Sequence, residues 1–247
     1  MVDGGAFLPN ITPAGWVTIR GLNLSTTTRI WTGADFNGNV MPTSLDGVSV
    51  AINGKAAAVY YISPTQLNVL APLDATDAPV QQREAVGPVT VSVTNRQGTT
   101  SRTANSQLVA PSFFMLDPDN RRYVAAVNLD GTLVGRGGLY PDNPAATKPL
   151  VGRGRALVYG TGWGLTNPVQ PDGLVFTDAR RLPAAANARI TIGGVQVVVE
   201  FAGAVSPGLY QFNIVAPDLP AGDYAIVGEI NGVRTQPNAF ITLAASP

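Results

Sequence analysis

Ala51-Ile52-Asn53-Gly54-Lys55-Ala56-Ala57-Ala58-Val59-Tyr60-Tyr61, continued by Ser63-Pro64-Thr65-Gln66-Leu67-Asn68-Val69-Leu70-Ala71-Pro72, decides the fold, because the chain carries this stretch twice. The second copy reads Thr191-Ile192-Gly193-Gly194-Val195-Gln196-Val197-Val198-Val199-Glu200-Phe201, then Ser206-Pro207-Gly208-Leu209-Tyr210-Gln211-Phe212-Asn213-Ile214-Val215-Ala216-Pro217. Both copies end in Asn-x-x-Ala-Pro. Both turn first at a glycine-containing pair, Asn53-Gly54 or Gly193-Gly194, whose residues supply the positive φ of a tight hairpin. A self-similar segment of this kind marks a repeated structural unit.

The repeat extends in both directions. Upstream, Val17-Thr18-Ile19-Arg20-Gly21-Leu22-Asn23-Leu24 corresponds to Ala156-Leu157-Val158-Tyr159-Gly160-Thr161-Gly162-Trp163-Gly164-Leu165. Downstream, residues 89–94, 95–98 and 101–109 correspond to 224–230, 231–232 and 235–243. Val48-Ser49-Val50-Ala51-Ile52 and Arg189-Ile190-Thr191-Ile192 alternate apolar with small or polar residues. That period of two belongs to strands with one buried face. With 27 Gly and 20 Pro, no window has the pattern of an amphipathic helix, and residues 97–110 read as strand. About seven short strands over roughly 100 residues is the size of an immunoglobulin-like sandwich. The predicted fold is all-β, with two tandem immunoglobulin-like (IPT/TIG-like) β-sandwich domains at 1–111 and 123–247 and a connector at 112–122. The second begins with a hairpin over 123–133 turning at Asp130-Gly131, followed by a Pro/Asn-rich loop at 141–149.

Five segments carry a family resemblance: 2–7 with 13–24; Ile52-Asn53-Gly54 through Ala71-Pro72; Ala125 to Leu133; Tyr159-Gly160-Thr161-Gly162-Trp163-Gly164; and Gly208-Leu209-Tyr210-Gln211-Phe212-Asn213. Almost end to end, the chain resembles the C-terminal module of exported proteins of Acidobacteria such as Solibacter, related to IPT/TIG immunoglobulin-like domains. The resemblance implies an extracellular or cell-surface location and an all-β pair of domains. It brings no activity and no catalytic residue with it. Trp163 departs from the pattern, which has a smaller apolar residue there.

Composition excludes several function classes. Sixteen basic and sixteen acidic residues cancel, and Lys occurs only at Lys55 and Lys148, so no basic stripe exists for nucleic acid. No apolar run reaches the ~20 residues of a membrane-spanning helix. With no Cys and no His, there is no disulfide, thiolate nucleophile, Cys/His zinc site or Ser-His-Asp triad. No cofactor is expected. Charged residues are only 13%, which leaves Thr, Ser, Asn and Gln to coat the surface. The first residues lack the basic and apolar regions of a signal peptide, so an export signal is expected outside this chain.

Three features invite a functional reading. Gly160-Thr161-Gly162-Trp163-Gly164 looks like a phosphate loop, but Leu165-Thr166-Asn167-Pro168 does not open the helix such a loop needs, so a strand-to-strand turn is predicted. Asp35, Asn37, Asn39 and Asp46 stand at positions 1, 3, 5 and 12 of a calcium loop, but Val40 takes the glycine position and Asp46 replaces the bidentate Glu. No metal is therefore assigned, and Asp117-Pro118-Asp119-Asn120 reads as a polar turn. Asp172, Asp178, Glu200, Asp218, Asp223 and Glu229 show no spacing that pairs two acids for hydrolysis. Trp16 adjoins a strand and is predicted in the core. Trp31, Trp163 and Tyr140 are the candidate ligand-binding residues, since loop aromatics offer flat amphipathic faces. For Trp31 and Trp163 the alternative is an aromatic plug at the end of a sandwich. The expected function is a non-catalytic binding, adhesion or spacer module whose partner is a protein or glycan at the cell surface. Self-association through edge strands is an added expectation. The alternatives are a carbohydrate-binding module, with Trp31, Trp163 and Tyr140 on one face, or a hydrolase with its site between the domains.

Overall fold

The computed structural model describes residues 2–4, 10–73, 87–116 and 122–246. The predicted turn at 117–120 lies outside them. In the first half the strands are β1 (Val2–Asp3), β2 (Asn10–Ile11), β3 (Trp16–Arg20), β4 (Arg29–Ile30), β5 (Ser44–Leu45), β6 (Val48–Ile52), β7 (Lys55–Ala56), β8 (Ala58–Ile62), β9 (Gln66–Leu70), β10 (Gly87–Asn95) and β11 (Gly98–Ser106). They form one sheet in the order β1-β3-β9-β8-β4 and another in the order β2-β11-β10-β6-β5, with β7 on β6. The alternation read from the sequence is what joins the two sheets. Val17 and Ile19 of β3, Leu67 and Val69 of β9, and Val48, Val50 and Ile52 of β6 point inward and share one core. Each fully buried side chain of this kind stabilises by roughly 1.5–3 kcal/mol against leaving it in water.

The second half repeats the plan. Its strands are β12 (Ser112–Phe113), β13 (Ala126–Asn128), β14 (Leu133–Val134), β15 (Thr147–Lys148), β16 (Leu150–Val151), β17 (Arg155–Thr161), β18 (Arg180–Arg181), β19 (Arg189–Ile192), β20 (Val195–Gln196), β21 (Val198–Ser206), β22 (Leu209–Val215), β23 (Gly222–Ile230), β24 (Val233–Arg234) and β25 (Phe240–Ala244). The sheets run β15-β14-β13-β17-β22-β21-β18 and β16-β25-β23-β19-β20. Thus β17-β22-β21-β18 stands where β3-β9-β8-β4 stands in the first copy. A parallel pair recurs too: Asn10 opposite Asn105, and Leu150 opposite Leu243. Trp163, Phe113, Phe212, Ile190 and Ile226 lie in a separate core. The chain is two immunoglobulin-like β-sandwiches, and no α-helix occurs among the described residues.

One detail departs from the sequence reading. Ser112 and Phe113, assigned there to the connector, already belong to the second sandwich, pairing with Thr161 and Gly160. Phe113 is drawn in because its ring fills the second core, and Gln236 clamps its backbone, accepting from its N–H at 3.0 Å and donating to its carbonyl at 2.8 Å. The polar surface expected from composition is plain on the exposed β10–β11 hairpin, where Ser92 meets Ser101 and Thr94 meets Thr99 hydroxyl to hydroxyl.

Candidate functional site

Where the two sandwiches meet, the repeats stop being alike. Each copy has a β-bulge opposite the asparagine of its Asn-x-x-Ala-Pro ending: β8 slips between Val59 and Tyr61 opposite Asn68, and β21 slips between Val199 and Phe201 opposite Asn213. The extra residue is Tyr60 in one copy and Glu200 in the other. Its neighbour on the central strand is Trp16 in one and Arg155 in the other, because Trp16 pairs with Leu70 as Arg155 pairs with Val215. On the second sandwich this outer-face position holds an exposed ion pair, with Arg155 Nη2 at 2.8 Å from Glu200 Oε1. On the first it holds rings. Trp16 and Tyr60 meet edge to face at 5.5 Å, and Trp31 lies 5.0 Å from Tyr60 and 5.1 Å from Phe36. Trp16, Trp31 and Phe36 pack on Met41, Ala58 and Leu70 as a small third cluster, and Trp31 also touches the main core of the first sandwich.

The second sandwich covers this cluster. Its β21–β22 hairpin is longer than its β8–β9 counterpart and turns at Pro207-Gly208, with Ser206 directly opposite Leu209. Gly208, at φ +69°, rests on Trp16 and Leu70, where a Cβ would come within 2.8 Å of both. Backbone bonds bind the loops together: Met41 N–H donates to the Gly173 carbonyl at 2.9 Å and Val175 N–H to the Asn39 carbonyl at 2.8 Å. Trp16 N–H reaches Thr161 Oγ1 at 3.1 Å. The glycine motif serves the same junction. Ala110 N–H donates to the Gly162 carbonyl at 2.9 Å, and a Cβ on Gly162 would stand 2.2 Å from the Ala110 carbonyl oxygen. The motif is a turn that seats the interdomain chain, with no helix behind it.

A cleft of about 210 Å³ opens at this junction, lined by Trp16, Thr18, Tyr60 and Asn68 of the first sandwich and Phe114 of the second. Phe114 faces it because alternation along the strand sends Phe113 inward to the core. Thr18 is 2% exposed, and its hydroxyl donates to Asn68 Oδ1 at 3.1 Å, as Gln66 Nε2 does at 2.9 Å. Among the described residues no carboxylate, Lys or Arg lines the cleft.

The predicted site residues do not converge. Trp163 is 0% exposed, wedged between Phe113 and Phe212, so it is an aromatic plug of the core and presents no face to a ligand. Trp31 is half-buried within the junction cluster. Tyr140 is half-buried elsewhere, its hydroxyl donating to the Leu116 carbonyl at 3.0 Å. Trp16, predicted as core, lies on the outer face. Tyr60 and Asn68 are in the repeated stretch and Trp16 stands one residue before its upstream part, and the replacement of Tyr60 by Glu200 was the signal that could have singled them out.

Elsewhere carboxylates are held by cations. Asp35 and Asp46, the ends of the calcium-like spacing, share the Arg29 guanidinium: Nη1 lies 2.9 Å from Asp35 and Nε 3.0 Å from Asp46. Arg29, then the Thr32 N–H, holds Asp35 well below the usual carboxylate range. Lys148 and Thr132 do the same to Asp130, and Arg155 does so to Glu200.

No protein-family model and no curated protein matches the chain. Among solved structures it is similar to SGBP-B of the Bacteroides ovatus mixed-linkage glucan utilization locus, in complex with a mixed-linkage heptasaccharide, at 13% identity and TM-score 0.36 over 96% of this chain and 43% of that one. It is similar to the plexin A4 full extracellular region at 13% identity and TM-score 0.28 over 95% of this chain and 17% of that one. It is also similar to the cadherin-like domains 1 to 4 of zebrafish RET, at 10% identity and TM-score 0.16 over 81% of this chain and 42% of that one. The chain therefore spans less than half the length of each, and likeness at these scores carries no argument about ligands. No helix among the described residues is long and apolar enough to cross a membrane.

Proposed function

We propose that this chain is a non-catalytic extracellular binding or adhesion module, belonging with the Acidobacteria-type modules it resembles, in which two sandwiches are docked into one unit that spaces and displays an exported protein. The observation that carries the reading is the junction. Rings, a bent hairpin and backbone bonds tie the sandwiches together, and they leave a ring-lined cleft open between them. A preformed apolar concavity with a few placed polar groups is the usual form of a binding site.

The test is binding of the purified chain to immobilised cell-envelope preparations and extracellular polysaccharides, beside the Tyr60→Ala variant. Saturable binding that the variant loses supports the module. Turnover of chromogenic glycosides or esters above the buffer rate would overturn it. One observation favours self-association as a second reading. β18 covers β21 only at Gly203 and Ala204, so the 198–200 segment pairs with β22 on one side and, among the described residues, with no strand on the other, and Val198 is 63% exposed. An unguarded edge of this kind pairs readily, and a monomer at high concentration in sedimentation would count against it.

A further inference from the structure

We propose that the junction cleft binds one pyranose ring of a neutral glycan, an inference that rests on the binding-module reading above. A pyranose has an apolar C–H face and a rim of hydroxyls, so its site needs an aromatic wall and fixed, uncharged hydrogen-bonding groups. The cleft offers both. Trp16 and Tyr60 stand at 66° to each other and Phe114 adds a third ring, so the walls form an angled slot. Asn68 forms the polar side. Its Oδ1 accepts from Thr18 and Gln66, which turns its amide NH2 into the group that donates to a ligand oxygen.

Size and charge narrow the ligand class. About 210 Å³ is below the ~300–1,000 Å³ of drug-sized pockets, room for a single ring of a longer chain. Among the described residues the lining carries no charged side chain, which suits a neutral ligand over a phosphate, sulfate, carboxylate or ammonium group. The comparison between the two copies separates what the fold requires from what the site adds. Gln211 Nε2 donates to Asn213 Oδ1 at 2.8 Å, so the Gln–Asn pair belongs to the fold. In that copy the ring positions hold Arg155 and Glu200, which pair with each other. The rings are confined to the copy that the second sandwich caps.

The experiment is a glycan array holding neutral and acidic oligosaccharides, followed by titration of the strongest neutral hit against tryptophan emission. Wild type, Trp16→Ala and Phe114→Ala are compared. Phe114 bonds through its backbone to Tyr159 and Ala125, so Phe114→Ala keeps the strand and remains informative if Trp16→Ala fails to fold. The expected result is binding of a neutral glycan with a change in emission, weakened at least about tenfold in Phe114→Ala. Binding that Phe114→Ala leaves unchanged, or binding confined to acidic glycans, overturns the inference. Saturable binding to envelope protein that Tyr60→Ala abolishes, with no glycan bound, overturns it while leaving the binding module standing. Absence of both removes the two together.

Discussion

Gly208 of the second sandwich lies so close to Trp16 of the first that a Cβ at 208 would stand 2.7 Å from Trp16 Nε1, and 2.5 Å from Leu70 Cδ1. The longer β21–β22 hairpin brings it there, and a left-handed turn residue with no side chain is the form that fits. The contact links a turn motif to the aromatic cluster on which the cleft is built.

Gly208→Ala is expected to loosen the docking while both cores stay folded. Overpacking of this kind costs about 1–3 kcal/mol, and the φ of +69° adds strain for a residue with a Cβ. Small-angle scattering should show a larger radius of gyration, and near-UV circular dichroism should report Trp16 released. An unchanged radius and an unchanged spectrum would refute the contact.

Trp163 separates core from site. Trp163→Ala removes the largest fully buried side chain and should cost about 3–5 kcal/mol in denaturant unfolding. Trp163→Phe should cost clearly less, because the buried indole Nε1 has no partner among the described residues and leaves with the ring. Neither variant should alter ligand binding at temperatures where it is folded.

Gln236→Ala tests the clamp on Phe113. It strands a buried N–H and a buried C=O, for about 2–4 kcal/mol in total. Hydrogen exchange at the Phe113 amide should accelerate more than at Phe114, whose N–H is held by the Tyr159 carbonyl. Equal acceleration at both would indicate global loosening instead.

Acid should destabilise the protein, and mild alkali should not. Asp35, Asp46, Asp130, Glu200, Asp218 and Glu229 are lowered by their cation and hydroxyl partners. Burial pushes Asp223 up, but Thr242, Tyr123 and Arg122 outweigh it, and its carboxyl is lowered as well. A carboxylate lowered in the folded state stabilises above its unfolded value, near 4, and that stability is lost as pH falls through the folded value. With no histidine in the chain, Tm should be level from about pH 5 to 8 and fall steeply below about 4. Asp223→Asn should reduce the acid slope. A Tm that climbs steadily between pH 5 and 8 would contradict this account.

Much of the fold was legible because its signals are local. Val48-Ser49-Val50-Ala51-Ile52 alternates and is a strand with Val48, Val50 and Ile52 buried; Asn53-Gly54 and Gly193-Gly194 turn hairpins with positive φ. The binding candidates were less legible. Trp31 and Trp163 both follow turn-like sequence, yet one is held in the junction cluster and the other lies in the core. Loop position says where a side chain begins and nothing about what covers it. Asp35 and Asp46 carried metal-ligand spacing, but Arg29 from the preceding strand lies between them.

The sequence by itself determined that the chain makes the same β plan twice, since period-two patterning, turn glycines and the Asn-x-x-Ala-Pro endings act over a few residues. Tertiary structure alone decided the junction: which outer face is covered, why Gly162 and Gly208 have no room for a side chain, and why Trp16 and Tyr60 border a cleft where Arg155 and Glu200 meet solvent. Trp16 and its partner Thr161 are separated by 145 residues. Alternation sorts side chains into inward and outward, but only the docking of one sandwich on the other determines which outward face is removed from water.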